Sequence, residues 1–200
     1  MPVPMLELAP QNAAIKAQVL EGLSGLIDRS AFILGENVKG LEAEICVYAG
    51  AAHAVAMSSG TDALLAALMG LGIGHGDEVI VPSFTFFASA GVVSRLGAKP
   101  VFIDLDPATF NASGALVEAA ITPRTKAIMP VHLFGQLADM PGIMAVAAKH
   151  GIPVLEDACQ SLGAKGWGKS AGEFGDMTAY SFYPTKNLSL IHISEPTRPY

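Results

Sequence analysis

The sequence predicts an α/β fold, a mainly parallel sheet with helices on both faces. Three observations carry this. From residue 53 onward, short apolar runs of strand length alternate strictly with stretches of helical periodicity. Gly72, Gly97 and Gly151 fall just after helical stretches, where a left-handed stop is wanted. No linker-like segment interrupts residues 1–187, so one domain is expected.

Taken in order, residues 11–28 place Ile15, Val19, Leu23, Leu26 and Ile27 on one helical face. "ENVKGLEAEICVYAG" predicts a second helix with Leu41, Ile45 and Tyr48 inward and Gly50 as its stop. The alternation then begins. "HAVAM" is expected as a buried strand and "TDALLAALMGLG" as a helix. The next pairs are "EVIVP" with "TFFASAGVVSRLG", "KPVFIDL" with "SGALVEAAI", and "KAIMPVH" with "MPGIMAVAAKHG". "IPVLED" and "MTAYSFY" are the last two strands.

Composition narrows the function classes. The chain has 200 residues, 51% of them hydrophobic and 15% charged, which is the balance of a packed domain and not of a disordered one. A net charge of −6 argues against a nucleic-acid grip. Cys46 and Cys159 lie far apart and outside any CxxC, so a disulfide framework is not expected and a reducing cytoplasm is. The N-terminus lacks the basic start and apolar run of a signal peptide, and "ALLAALMGLGIGHG" is too short for a membrane span. The histidines show no metal-ligand spacing. A dinucleotide fingerprint is also absent, because "GIGHGD" is not GxGxxG and precedes a strand.

In sheets of this kind ligands bind beyond the carboxyl ends of the strands, so the residues there are the ones to read for chemistry. After "HAVAM" stand Ser58, Ser59, Gly60 and Thr61, opening a helix. Free N–H groups at a helix start suit a phosphate, although taken alone a Ser/Thr cap is the more ordinary reading. After "EVIVP" come Phe84, Phe86 and Phe87, one of which could stack on a planar ring; core packing is the ordinary alternative. After "IPVLE" comes Asp157, a turn residue or a partner for a cationic ring nitrogen. Asp104 and Asp106 look similar, but Pro107 follows and turn chemistry is favoured. After "AYSFY" comes Lys186, whose amine beside an apolar strand could serve as a nucleophile. A phosphate cradle, an aromatic plate, an acid and an amine are together the parts that pyridoxal phosphate requires.

The motifs "FILGENVKGLE", "SSGTDALLAAL", "GDEVIVPSFTF", "GAKPVFIDLD", "RTKAIMPVHLFGQLADM", "EDACQSLGA" and "SFYPTKNL" resemble the DegT/DnrJ/EryC1/StrS sugar aminotransferases, continuously from about Leu6 to Leu188. The resemblance implies the fold type I large domain of aspartate aminotransferase and a homodimer with shared sites. It implies Lys186 as the Schiff-base lysine, Asp157 as the pyridinium partner and Gln160 near the ring's phenolic oxygen. Phe86 would be the stacking aromatic, with Gly60, Thr61 and Ser181 on the phosphate and Ser59 nearby. It further implies transfer of an amino group, usually from glutamate, to a keto carbon of a nucleotide-linked deoxysugar in polysaccharide or antibiotic-sugar biosynthesis. A sister branch resembling dehydratases carries histidine where this chain has Lys186, so the lysine favours transamination. The alternative readings are a dehydratase relative or an inactive α/β fragment.

The end of the chain departs from the family pattern. "LSLIHISEPTR" back-translates as a transposon-end sequencing adapter. The expectation is a truncated cofactor-binding domain over residues 1–188 and a non-native tail over 189–200. In the family fold an antiparallel strand after the lysine lies between the first and last parallel strands. "SLIHI" has a partly alternating pattern that could fill that slot.

Overall fold

The structure, a computed structural model, describes residues 7–33 and 35–186. Helices α1 (Ala9–Arg29) and α2 (Glu36–Ala49) come first. The α/β body follows as α3 (Gly60–Gly70), β1 (Glu78–Pro82), α4 (Ala88–Arg95), β2 (Lys99–Ile103), α5 (Gly114–Ala120), β3 (Thr125–Ile128), α6 (Met140–His150) and β4 (Leu155–Asp157). A short hairpin, β5 (Lys165–Gly166) and β6 (Lys169–Ser170), precedes β7 (Met177–Ala179).

The sheet is parallel. β1 pairs with β2 on one side and β3 on the other, and β4 pairs with β7. Parallel bridges Ile128–Val154 and Val131–Asp157 join the two ladders, giving the order β2–β1–β3–β4–β7. Strand β1 shows why helices must cover both faces. All its residues are buried, and successive side chains point to opposite sides. Val79 and Val81 pack into one core with Leu64 and Leu68 of α3 and Val92 and Val93 of α4. Ile80 packs into a second core with Val117 of α5 and Met140, Ile143 and Ala147 of α6. Full burial of Leu64 or Leu68 stabilises the fold by about 2–3 kcal/mol each. The expected fold class is thus the observed one.

The helix stops behave as read. Gly97 and Gly151 adopt φ of 75° and 65°, a conformation that costs an L residue energy and glycine none. Asp104 and Asp106 accept hydrogen bonds from the backbone N–H groups of Leu105, and of Ala108 and Thr109, which is the turn chemistry expected of them.

Two expectations are corrected, and one element is added. "HAVAM" is not a strand: residues 53–57 carry no regular structure, with Val55 69% and Met57 47% exposed. A strand exists only through its ladder, and these residues have no ladder partner among those described. The Ala56 N–H turns instead to the Glu42 carboxylate at 2.8 Å. Tyr48 is exposed over more than half its surface and not buried, although its hydroxyl lies against Gly163, and of α1 and α2 only Ala49 is buried. The β5–β6 hairpin was unforeseen. Its turn places both Trp167 and Gly168 at positive φ, 51° and 78°, the geometry of a two-residue hairpin loop, for which a tryptophan gives no sequence signal. Residues 187–200, with the tail and the slot-filling strand expected of "SLIHI", lie outside the described residues.

Candidate functional site

Segments that leave β1, β4 and β7 at the carboxyl edge of the sheet meet the start of α3. At the start of α3, Ser59 is the N-cap and accepts the Asp62 N–H at 3.1 Å. Its hydroxyl donates to the Asp62 carboxylate at 2.9 Å, and Ser58 donates to the same oxygen at 2.5 Å. Those hydroxyls, Ser58 first, hold the Asp62 carboxyl below the usual carboxylate range. Ser59 is therefore engaged as a cap. Helix geometry leaves the Gly60 and Thr61 N–H groups without a carbonyl of their own helix.

Gly60 is buried where α3 touches two other site segments. A Cβ at this position would lie 2.8 Å from the Cys159 sulfur and 2.9 Å from the Ser181 Cβ. Only glycine lets the helix start approach the ends of β4 and β7 this closely. A cradle of free N–H groups is thereby set beside Cys159 and Ser181.

Asp157 ends β4 and is 5% exposed. Its backbone is pinned on both sides, by Pro130 and His132 from the β3 segment and through the Ala158 N–H to the Ala179 carbonyl of β7. One carboxylate oxygen accepts the Ser89 hydroxyl at 2.7 Å, the other the Cys159 N–H at 3.2 Å. Ser89 in turn lies 3.0 Å from the Thr85 hydroxyl. Burial, and then the neighbouring Asp157 charge, push the Cys159 thiol up. The Lys186 ammonium works in the opposite direction, by less.

The remaining residues sit around this centre. Phe86 is 66% exposed, its carbonyl accepting the Ser89 N–H at the first turn of α4. Gln160 turns its carbonyl oxygen to the Phe134 N–H at 3.1 Å, which leaves its amide N–H groups to donate elsewhere. Lys186 closes a turn through its N–H to the Tyr183 carbonyl at 2.8 Å. Gly60, Ser181 and Asp157 meet at Cys159, and Lys186 follows Ser181 in the same segment. Ser59 and Thr61 adjoin Gly60 on α3, Phe86 precedes Ser89 and Gln160 follows Cys159 along the chain, and among the described residues none of their side chains hydrogen-bonds to Asp157. Among the described residues no cluster of potential metal ligands occurs, and no helix is long and apolar enough to cross a membrane. A shallow hollow lined by Thr125, Lys126, His150 and Pro153 lies at the opposite, amino edge of the sheet, away from all of these residues.

Sequence reasoning missed Ser89, Thr85 and Phe134. Ser89 left one signal: it is a polar residue on the buried face of α4, with Ala88, Val92 and Val93. Phe134 has a positive φ of 54°, which no sequence feature indicates for a phenylalanine.

Comparison with known proteins agrees with this architecture. A "pleiotropic regulatory protein" of Geobacillus stearothermophilus is 53% identical over 94% of the chain and 50% of its own length. A UDP-N-acetyl-3-dehydro-α-D-glucosamine 3-aminotransferase of Acidithiobacillus ferrooxidans is 52% identical over 93% of the chain and 50% of its own length. The crystal structure of S. venezuelae DesV, in complex with a ketimine intermediate, overlays with a TM-score of 0.90 at 44% identity, covering 94% of the chain and 50% of that one. Other solved neighbours were determined in PMP and PLP forms. The chain spans about half the length of the curated relatives it matches. The DegT/DnrJ/EryC1/StrS aminotransferase family model matches residues 13–191, and the chain belongs to that family.

Proposed function

We propose that this chain carries the cofactor-binding half of a pyridoxal-phosphate-dependent aminotransferase that acts on a keto carbon of a nucleotide-linked sugar. The observation that carries the reading is the junction of α3, β4 and β7 at Gly60, where the N–H groups of a helix start stand beside the segments that carry a buried carboxylate, Asp157, and Ser181. The donor set fits the cofactor. Gly60 and Thr61 N–H groups, with Ser181, would hold its phosphate. The Asp157 carboxylate would hold the ring nitrogen, and Phe86 has an open face for the ring. When bound, pyridoxal phosphate supplies an aldehyde for the amine and a ring that takes up the electron pair released at the substrate carbon.

The chain's own residues do the rest. Lys186 would supply the amine that holds the cofactor, and the same amine would take and return the proton at the reacting carbon. Asp157, buried and held from two sides, would accept from the ring nitrogen. Gln160, with its carbonyl oxygen committed to Phe134, would have amide N–H groups to offer the phenolic oxygen. The sugar substrate class follows the names of the relatives, and an amino acid such as glutamate is the donor. Leu20, Leu23, Ile27 and Val47, exposed on α1 and α2, support a homodimer that covers them.

Borohydride reduction of the chain incubated with pyridoxal phosphate, followed by peptide mapping, tests the reading. The expected product is a stable cofactor adduct on Lys186. Lys186→Ala, in a protein of the relatives' full length, should abolish turnover while cofactor is still retained. Lys186→Arg should not rescue it, since a guanidinium stays protonated and cannot attack an aldehyde. Adduct formation on another lysine, or near-normal turnover by Lys186→Ala, would remove the assignment.

A further inference from the structure

We infer that Ser89 is a positioning residue for the cofactor's ring nitrogen, acting through Asp157, with Thr85 fixing its own direction. The inference rests on the pyridoxal phosphate reading above and adds to it residues from a different segment of the chain.

Ser89 is 0% exposed, so its hydroxyl has no recourse to solvent. It stands 2.7 Å from one Asp157 oxygen and 3.0 Å from the Thr85 hydroxyl. An ionised carboxylate only accepts, so Ser89 must donate to Asp157. A hydroxyl has a single hydrogen, so Thr85 must then donate to Ser89. The three groups form a relay with one polarity, from Thr85 through Ser89 to Asp157. Each bond polarises the next, and the carboxylate receives a donor whose direction is fixed from behind.

The relay is set by the fold. Ser89 lies in the first turn of α4, on its buried face, and Thr85 lies in the loop ahead of the helix, four residues earlier. That face carries Val92 and Val93 into the core that α4 shares with Leu155 of β4. The other Asp157 oxygen is taken by the Cys159 N–H at 3.2 Å. With both oxygens held, the plane of the carboxylate is fixed before any ring arrives. Without Ser89 that plane is held at one oxygen only. The carboxylate can then rotate, and a contact whose strength depends on alignment weakens. Among the described residues the Ser89 hydroxyl bonds to Thr85 and Asp157 and not to Gly60, Thr61, Ser181 or Lys186, so its effect should be confined to the ring nitrogen.

The test compares two ligands by equilibrium dialysis. One is pyridoxal phosphate. The other is its deaza analogue, in which C–H replaces the ring nitrogen. Wild type, Ser89→Ala, Ser89→Thr and Thr85→Val are measured against both. Ser89→Ala should bind pyridoxal phosphate about fivefold more weakly and the analogue unchanged. Ser89→Thr should restore the preference for the ring nitrogen. Thr85→Val should show the same selective loss at smaller size, and it keeps the result readable if Ser89→Ala folds poorly. Equal weakening toward both ligands would show a merely structural role and overturn the inference, as would no change toward either. A wild-type chain that binds neither ligand would overturn the cofactor reading itself, and this role with it.

Discussion

The His132 imidazole and the Glu156 carboxylate face each other at 2.8 Å with both side chains 0% exposed. The other ring nitrogen, Nδ1, accepts the Ala138 N–H at 3.2 Å, so the proton sits on Nε2 and is donated to Glu156. Glu156 also accepts the backbone N–H groups of Gly172, Phe174 and Gly175 at 3.1, 3.2 and 2.7 Å. One buried acid thus ties the segment that returns from the β5–β6 hairpin to β4. Asp157, next in sequence, points to the opposite side of the sheet. The residue that shapes the loop and the residue that faces the site are neighbours on one short strand.

Removing this hub leaves several buried donors unpaired. Glu156→Ala should destabilise the chain by about 3 kcal/mol, measured by urea denaturation. Glu156→Gln should lose less, about 1–2 kcal/mol, because its amide oxygen still accepts some of the N–H groups. His132→Ala should fall between them. A loss within about 0.5 kcal/mol for Glu156→Ala would show that the loop is held by other contacts.

Acid should destabilise the fold through identifiable carboxylates. The Thr122 hydroxyl first, and then Arg124 and Lys99, hold Glu78 down to about 2. Burial works against the Glu156 charge, but the His132 ring N–H and the Gly175 and Gly172 backbone N–H groups outweigh it and lower its pKa. Both folded values lie below the unfolded glutamate value of about 4.3. The unfolded state therefore takes up protons first as acid is added. The stability these groups contribute is full above that value and is lost as pH falls toward the folded values. Urea midpoints should drop between about pH 5 and pH 2, and Glu78→Gln should flatten the drop. A midpoint independent of pH across that window would contradict the assignment.

What the sequence made legible follows from where each determinant lies. "EVIVP" reads as a buried strand because its apolar run is local, and Gly151 reads as a stop because a left-handed cap has a residue preference of its own. The site residues at strand ends could be chosen because the edge of a parallel sheet is a consequence of topology alone. "HAVAM" was not legible, since a strand also needs a partner that composition cannot supply. Ser89 was not legible either. The role inferred for it depends on Asp157, which arrives three strands later, and a serine in "TFFASAG" reads equally well as a filler on a helix.

Ser161 offers a test in the opposite direction. Its hydroxyl is buried, at 1% exposure, and has no hydrogen-bond partner among the described residues. A buried polar group without a partner carries its desolvation penalty uncompensated. Ser161→Ala should therefore be neutral or raise stability by up to about 1 kcal/mol in urea denaturation. A clear loss of stability would show that the hydroxyl is satisfied in solution by a bound water or ligand.

Gly60 gives the sharpest link between packing and site. Alanine is the better helix former, so local propensity alone favours Gly60→Ala by about 1 kcal/mol. The added Cβ would meet the Cys159 sulfur at 2.8 Å, the Ser181 Cβ at 2.9 Å and the Tyr180 carbonyl at 3.3 Å. Cys159 and Ser181 are carried by the ends of β4 and β7, which are paired to each other and cannot retreat independently. The start of α3 must move instead, and with it the N–H groups of Gly60 and Thr61. Overpacking of this kind costs about 1–3 kcal/mol, so the propensity gain is overridden. The expected outcome is a modest fall in the urea midpoint and a loss of pyridoxal phosphate affinity of at least about tenfold. Affinity for pyridoxal without the phosphate should change much less, since on the proposed reading the displaced groups would hold the phosphate alone. Cys159→Ala added to Gly60→Ala should recover part of the stability by opening space at the sulfur. It should recover less of the affinity, because Ser181 still blocks the helix start. A Gly60→Ala chain with unaltered stability and affinity would mean that the start of α3 does not rest against β4 and β7.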